Sequence, residues 1–316
     1  MKSSDDRSTF ASLPFMKVPC LVVVVGPTAV GKTVASIKLA QHFNTEIVSA
    51  DSRQVFREMR IGTARPSAEE LSAVKHHLIA HHAITDPYDA ARFAEEAEAV
   101  LHNLFSSHDF AVICGGSGLY IRALLEGFDE LPEVPAIIRE SIKASYVQEG
   151  LDWLQREVSA ADPVYFQEVD RQNPQRLMRA LEVIRATGQP FSSFRKNSKK
   201  QLAYHVVKIG LDRDRDELYQ RIDQRMDTMI GEGLWEEATA LYPHRHINAL
   251  QTVGYQEVFE CIDGQCDRDE AIRRMKQNSR HYAKRQLTWF RRDPEVHWFH
   301  PDDLTGMISC IQQHNP

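Results

Sequence analysis

Long apolar runs are missing from this sequence. No stretch approaches the ~18 residues that a membrane span requires, and the first seventeen residues, MKSSDDRSTFASLPFMK, lack the apolar segment of a secretory leader. With 26% charged residues and 42% hydrophobic ones, the chain reads as a soluble cytoplasmic protein with material for a substantial core. Residues 1–17 are polar and unpatterned, and read as a flexible tail. Cysteine is scarce as well: Cys20, Cys114, Cys261, Cys266 and Cys310 form an odd, scattered set of five, which points to reduced thiols. Cys261 and Cys266 stand as C-x4-C with no following pair at finger spacing, so zinc is not expected there.

Acidic residues are rare in two stretches of an otherwise acidic chain. Residues 171–200 hold eight Lys and Arg against Glu182 alone, and residues 268–292 hold nine against Asp269 and Glu270. The whole chain carries −6, so the remainder, with 21 bases and 41 acids, carries −20. Two basic stretches on an acidic protein suggest a polyanion contacted at defined places; ordinary solvated helix faces would give the same count.

What is present is an anion-binding loop. Gly26 to Thr33 reads GPTAVGKT and fits G-x-x-x-x-G-K-[ST]. Leu21 to Val25 (LVVVV) precedes it as an unbroken apolar run suited to a buried parallel strand, and Val34, Ile37, Leu39 and Ala40 follow at helical spacing. Strand, glycine loop and helix thus come in the order that points backbone N–H groups at a phosphate. Pro27, Thr28, Ala29 and Val30 complete the cradle between Gly26 and Gly31. Lys32 supplies a point charge, and Thr33 a hydroxyl ligand for Mg²⁺.

Further strands are expected at 46–50, around 76–79, at 110–114, at 204–211 and at 296–299. EIVSA (46–50) runs directly into Asp51, which therefore faces the phosphate loop across the carboxyl ends of the strands. FAVIC (110–114) ends in Gly115, where a P-loop kinase or hydrolase often carries an Mg²⁺-holding Asp. HHLIAHH spaces His77 and His81 as i, i+4, but lacks the Glu of HExxH and reads as a strand with polar-side histidines. Helices are expected at 88–105 and 119–127, at 136–149, 151–160 and 163–169, and from Asn173 to just before Gly188. Asp216 to Leu241 reads as one long helix with breaks near Gly231 and Gly233, and Asp269 to Arg292 as a long basic one. The fold class is α/β: a P-loop-type parallel sheet flanked by helices, formed by residues 18–127 and 204–316, with an all-helical insertion at 128–203.

GPTAVGKT, DSRQVF (51–56), IGTARPS (61–67), HHLI, GGSGLYIRALLEG, NPQRLMRALEV, TVGYQEV and KRQLTWFR, in this order over residues 20–292, together resemble the tRNA dimethylallyltransferases. The resemblance implies transfer of the dimethylallyl group of dimethylallyl diphosphate to the exocyclic amine of the adenosine just 3′ of the anticodon. No phosphoryl group moves in that reaction, which accounts for the absent Asp after 110–114. It also implies Asp51 as general base, Lys32, Thr33-bound Mg²⁺ and Arg221 against the departing diphosphate, and Arg225 as the weaker choice of arginine. Contacts to the tRNA anticodon stem-loop fall by resemblance to Asp51, Ser52, Arg53, Gln54, Ser117, Arg139, Gln175, Arg176, Leu177, Met178 and Arg179. They continue with Gln251, Thr252, Val253, Gly254, Tyr255, Gln256, Lys284, Arg285, Gln286 and Arg291.

The insertion, with its basic loop Arg195 to Lys200, is expected to grip the stem phosphates, and the enzyme to act as a monomer. The sequence departs from the family in Ser117 for Thr, in Arg65 for Lys and in AHHAITDPYDAARF after HHLI. No finger of the eukaryotic kind follows Arg292, which points to a bacterial-type enzyme or one needing no extra clamp. A small-molecule P-loop kinase, a prenyltransferase of free AMP or ADP, and an RNA-binding protein with a vestigial loop remain as alternatives. The length of the basic stretches speaks against the first, the insertion against the second, and intact Lys32, Thr33 and Asp51 against the third.

Overall fold

The computed structural model describes residues 18–129, 131–195 and 200–315; the expected tail and Lys196 to Lys199 of the basic loop lie outside the described residues. Six strands form a single sheet: β1 (Cys20–Val25), β2 (Ile47–Ser49), β3 (His76–His77), β4 (Phe110–Cys114), β5 (His205–Leu211) and β6 (Val296–Phe299). Their order is β3-β2-β4-β1-β5-β6 and every pairing is parallel. β1 lies in the interior, pairing Val22 with Val112 on one side and Val207 on the other. Its period-two alternation divides it between two cores: Cys20, Val22 and Val24 join one, Leu21, Val23 and Val25 the other. An all-apolar run is what such a two-sided position demands.

The helices are α1 (Lys32–His42), α2 (Ala68–Ala73), α3 (Ala90–Phe105), α4 (Gly118–Glu126), α5 (Ala136–Ala161), α6 (Pro163–Glu168), α7 (Pro174–Thr187), α8 (Arg215–Gly231), α9 (Leu234–Leu241), α10 (Tyr255–Ile262), α11 (Arg268–Phe290) and α12 (Leu304–Gln313). The α8 and α9 segment breaks where its glycines stand: α8 ends at Gly231, and Gly233, at φ 105, starts α9. A third core, with Val55, Phe56, Met59, Met226, Met229, Leu250 and Tyr255, packs α8 to α11 against the chain after β2.

The chain divides into two compact units, one containing the sheet and one running from Glu126 to Lys200. The second has its own core of Ile142, Trp153, Leu154, Val158, Tyr165, Leu177 and Leu181. There Gly150, at φ 77, interrupts α5. Asn173 caps α7 by accepting from the Arg176 N–H, with Pro174 in the first turn.

The histidine run bends out of β3 after two residues, with Leu78 and Ala80 in left-handed conformation at φ 60 and 51. His77 and His81 therefore share no helix face. His77 Nε2 sits 2.5 Å from a Glu46 carboxylate oxygen, and His82 Nε2 3.0 Å from one of Glu96.

Candidate active site

The phosphate loop has the backbone that its glycines were needed for. Gly26 sits at φ +148, and a Cβ there would meet the Leu211 carbonyl oxygen at 2.7 Å, backbone that cannot yield. Gly31 sits at φ +111, and Ala29 is held left-handed at φ 63 without that freedom. Lys32 and Thr33 open α1. Lys32 Nζ donates to the carbonyls of Gly26 at 3.0 Å and Pro27 at 2.7 Å, folding back over the loop. Burial pushes this ammonium down to about 8. Cys114 and Asp51 draw it upward, and the Arg225 charge adds to the depression.

Remote side chains fasten the loop. Gln286 on α11 accepts from the Thr28 N–H at 2.8 Å and donates through its other amide atom to the Gly116 carbonyl at 3.0 Å. Two arginines donate to loop carbonyls, Arg221 to Ala29 and Arg213 to Val30, both at 2.9 Å. The place of the missing Asp after β4 is also explained: a Cβ on Gly115 would lie 2.1 Å from the Ala50 carbonyl oxygen. β4 closes on β2 so tightly there that no side chain fits.

Asp51 leaves β2 into a tight turn, its Oδ1 accepting from the N–H groups of Arg53 at 2.9 Å and Gln54 at 3.2 Å. Ser117 holds the same turn by accepting from the Ser52 N–H at 2.9 Å. Gln54 reaches on to the carbonyls of Thr63 and Ala64 at 3.2 and 3.1 Å. That segment is anchored from the other side by Glu237. Its carboxylate accepts from the N–H groups of Arg60, Ile61 and Gly62 at 3.0, 2.9 and 3.0 Å and from the Tyr255 hydroxyl at 2.7 Å.

The loop, Asp51 and α8 enclose a cleft with two lobes, and Thr28, Ala29, Asp51, Arg225 and Tyr282 line both. One lobe is polar, with Gly31, Lys32, Thr33, Arg221 and Gln286. The other adds Ile222, Met226, Met229 and Val253 to Gly62 and Thr63. Arg225 is enclosed between them; burial lowers the pKa of its guanidinium and Asp51 raises it. Such a site can hold an anion at one end, an apolar group at the other, and a carboxylate beside both.

Among the residues singled out for RNA contact, Asp51 to Gln54, Ser117, Gln251 to Val253 and Lys284 and Arg285 all belong to the sheet unit. Arg139, Gln175, Arg176, Met178 and Arg179 belong to the other. Four of those expected contacts are buried in this structure. Leu177 is fully buried in the core of the helical unit. Gly254 and Tyr255 lie inside the sheet unit, where the Tyr255 hydroxyl is committed to Glu237. Gln286 is 7% exposed and has both amide ends on backbone.

Much of the second basic stretch is also neutralised: Arg274 pairs with Glu260, Lys276 with Asp227, Arg280 with Asp223 and Arg291 with Asp212. Lys284 and Arg285 stay exposed without an ion-pair partner among the described residues. In the helical unit Arg179 pairs with Glu182, Arg185 with Glu157 and Arg195 with Glu168. Sequence reasoning missed Glu237 and Arg213, which stand outside any motif, and ranked Arg225 below Arg221 although Arg225 reaches both lobes.

Comparison with known proteins places this geometry in a family. The model described as IPP transferase matches residues 54–293. The tRNA dimethylallyltransferase 1 of Bacteroides fragilis is 46% identical over 297 residues, covering 94% of this chain and 99% of that protein. The tRNA dimethylallyltransferase of Christiangramia forsetii is 50% identical over 288 residues, covering 91% and 95%. A solved tRNA isopentenylpyrophosphate transferase from Bacillus halodurans has a TM-score of 0.68 at 36% identity, over 93% of this chain and 97% of that one. A eukaryotic dimethylallyltransferase crystallised acting on tRNA shares the fold, with a TM-score of 0.75 at 24% identity over 93% of this chain and 77% of its own. Matched by that model over most of its length and by such relatives over nearly all of it, the chain belongs to the IPP transferase family.

Proposed function

We propose that this protein transfers the dimethylallyl group of dimethylallyl diphosphate to the N6 amine of the adenosine 3′-adjacent to the anticodon of tRNA, releasing diphosphate. The observation that carries the reading is one cleft in which Lys32 and Thr33 of the phosphate loop stand opposite Asp51, with an apolar lobe beside them. The donor's diphosphate sits in the polar lobe, on the N–H groups of Gly26 to Thr33. Its prenyl chain lies along Ile222, Met226, Met229 and Val253.

The bond from the allylic carbon to the diphosphate oxygen breaks with its electron pair leaving on oxygen. The N6 lone pair forms the new C–N bond, and Asp51 takes the N6 proton. Lys32 and Arg221 face the charge growing on the departing diphosphate, aided by Arg225. Mg²⁺ suits the polar lobe, since the Thr33 hydroxyl and diphosphate oxygens are the hard donors it prefers. When bound, it neutralises leaving-group charge.

An adenine stacked in the anticodon loop cannot enter such a cleft, so the base must be turned out. Ser52, Arg53, Gln54, Ser117 and Gln251 to Val253 border the entry, and Lys284 and Arg285 supply phosphate contacts. Arg139, Gln175, Arg176 and Arg179 of the helical unit hold the anticodon stem. No helix among the described residues is long and apolar enough to cross a membrane.

Incubation with labelled dimethylallyl diphosphate, Mg²⁺ and unmodified tRNA, beside parallel reactions offering AMP or ATP, tests the reading. Label is expected in tRNA alone. Label in AMP, or cleavage of ATP with allylic diphosphates ignored, overturns it.

A further inference from the structure

The cysteines looked inert in the sequence, yet one has company that no motif announces. Cys310 stands on α12 and His314, four positions on, is its C-cap, with its backbone N–H donating to the Cys310 carbonyl. His297 reaches them from β6, the edge strand whose register pairs it with Ile209. One donor atom from each of His297, Cys310 and His314 lies within 4.8 Å of the other two. Cys310 Sγ is 3.7 Å from His314 Nδ1, and the two imidazole rings lie 4.5 Å apart between centroids.

Two imidazoles and a thiol facing one another is the donor set of zinc, with ligand bonds of about 2.0–2.3 Å and donor atoms about 3.5 Å apart in a tetrahedron. The observed separations, within 4.8 Å, are wider than that, so binding draws the donors together by side-chain rotation. His314 Nδ1 also lies 2.8 Å from the Cys310 carbonyl oxygen. That contact is given up when Nδ1, the ring nitrogen beside the thiol, turns its lone pair to a metal. Hard cations are disfavoured, because no carboxylate belongs to the triplet.

We propose that His297, Cys310 and His314 bind a zinc-class divalent ion, with water as fourth ligand, that ties the edge strand β6 to the helix α12. The proposal is independent of the prenyl-transfer reading, since none of the three residues lines the cleft. Binding exchanges the Cys310 thiol proton, released to solvent, for the metal–sulfur bond.

Chelator-treated, reduced full-length protein titrated with Co²⁺ reads the site directly. The expected result is a thiolate-to-cobalt charge-transfer band with tetrahedral visible bands, displaced by Zn²⁺. Cys310→Ser should abolish the charge-transfer band, and His297→Ala and His314→Ala should each weaken binding by more than about 100-fold, since outer-shell changes alone cost about 10–100-fold. The double variant Cys261→Ser/Cys266→Ser should keep the band. Zn²⁺ should raise the melting temperature of the wild type and leave that of Cys310→Ser unmoved. Absence of a charge-transfer band, its survival in Cys310→Ser, or its loss in the Cys261/Cys266 double variant overturns the proposal.

Discussion

The two lobes of the cleft are built by different means. The polar lobe is a local device: eight consecutive residues, from the end of β1 into the first turn of α1, set the turn, the charge and the hydroxyl. The apolar lobe is assembled from distant parts, with Met226 and Met229 from α8, Val253 from before α10 and Gly62 from the segment pinned by Glu237, which is 175 positions away. A local motif fixes chemistry, whereas a distributed lobe fixes which substrate the chemistry meets. Even the local device depends on remote braces, for Gln286 reaches Thr28 across 258 positions.

Changes that separate the two lobes should rank accordingly. Asp51→Ala, at the seam, should lower kcat by about 10³-fold or more, the upper range for a lost general base, with tRNA affinity nearly unchanged; full turnover at saturating tRNA would make Asp51 a contact residue only. Lys32→Ala should cost about 10²–10³-fold in kcat/KM for the donor, read by steady-state transfer at fixed tRNA. Glu237→Ala leaves three N–H groups and the Tyr255 hydroxyl without their acceptor. It should lower stability by about 2–3 kcal/mol in urea unfolding and raise the KM for the donor.

The depressed Lys32 gives the polar lobe a pH signature. Only the ammonium form attracts diphosphate, and a bound anion raises its pKa. Affinity for diphosphate should therefore be level below the free-protein value of about 8 and fall by up to about tenfold per unit above it, with proton uptake seen in calorimetry. A level affinity well past that value would contradict the depression. Smallest should be Lys284→Ala with Arg285→Ala, which should reduce the salt slope of tRNA binding by up to about two. Arg280→Ala breaks the pair with Asp223 and should leave that slope unchanged.

What the sequence made legible follows the same division. Five strands were readable because each is a short β-branched or apolar run bounded by turn residues, and β3, the pair His76–His77, because Leu78 and Ile79 follow it; GPTAVGKT and the capped start at Asn173 carry their mechanism within a few residues. Glu237, Arg213 and Gln286 were not readable as braces, because their partners are set by how α8, α9 and α11 pack, which no local period encodes. Charge counting overstated the free cations for the same reason. Arg274, Lys276 and Arg280 of α11 face carboxylates of α8 and α10, so part of that basic helix is neutralised within the fold. Leu177 and Tyr255 lay inside matching motifs, yet they belong to the packing beneath the surface those motifs form.

The most direct test is a structure with a non-hydrolysable dimethylallyl thiodiphosphate and an anticodon stem-loop bound together. The expected result has the diphosphate analogue on the N–H groups of Gly26 to Thr33 and a turned-out adenine whose N6 lies about 2.6–3.2 Å from an Asp51 carboxylate oxygen. Asp51 turned away from the nucleobase, or the diphosphate seated anywhere but against Lys32, would contradict it.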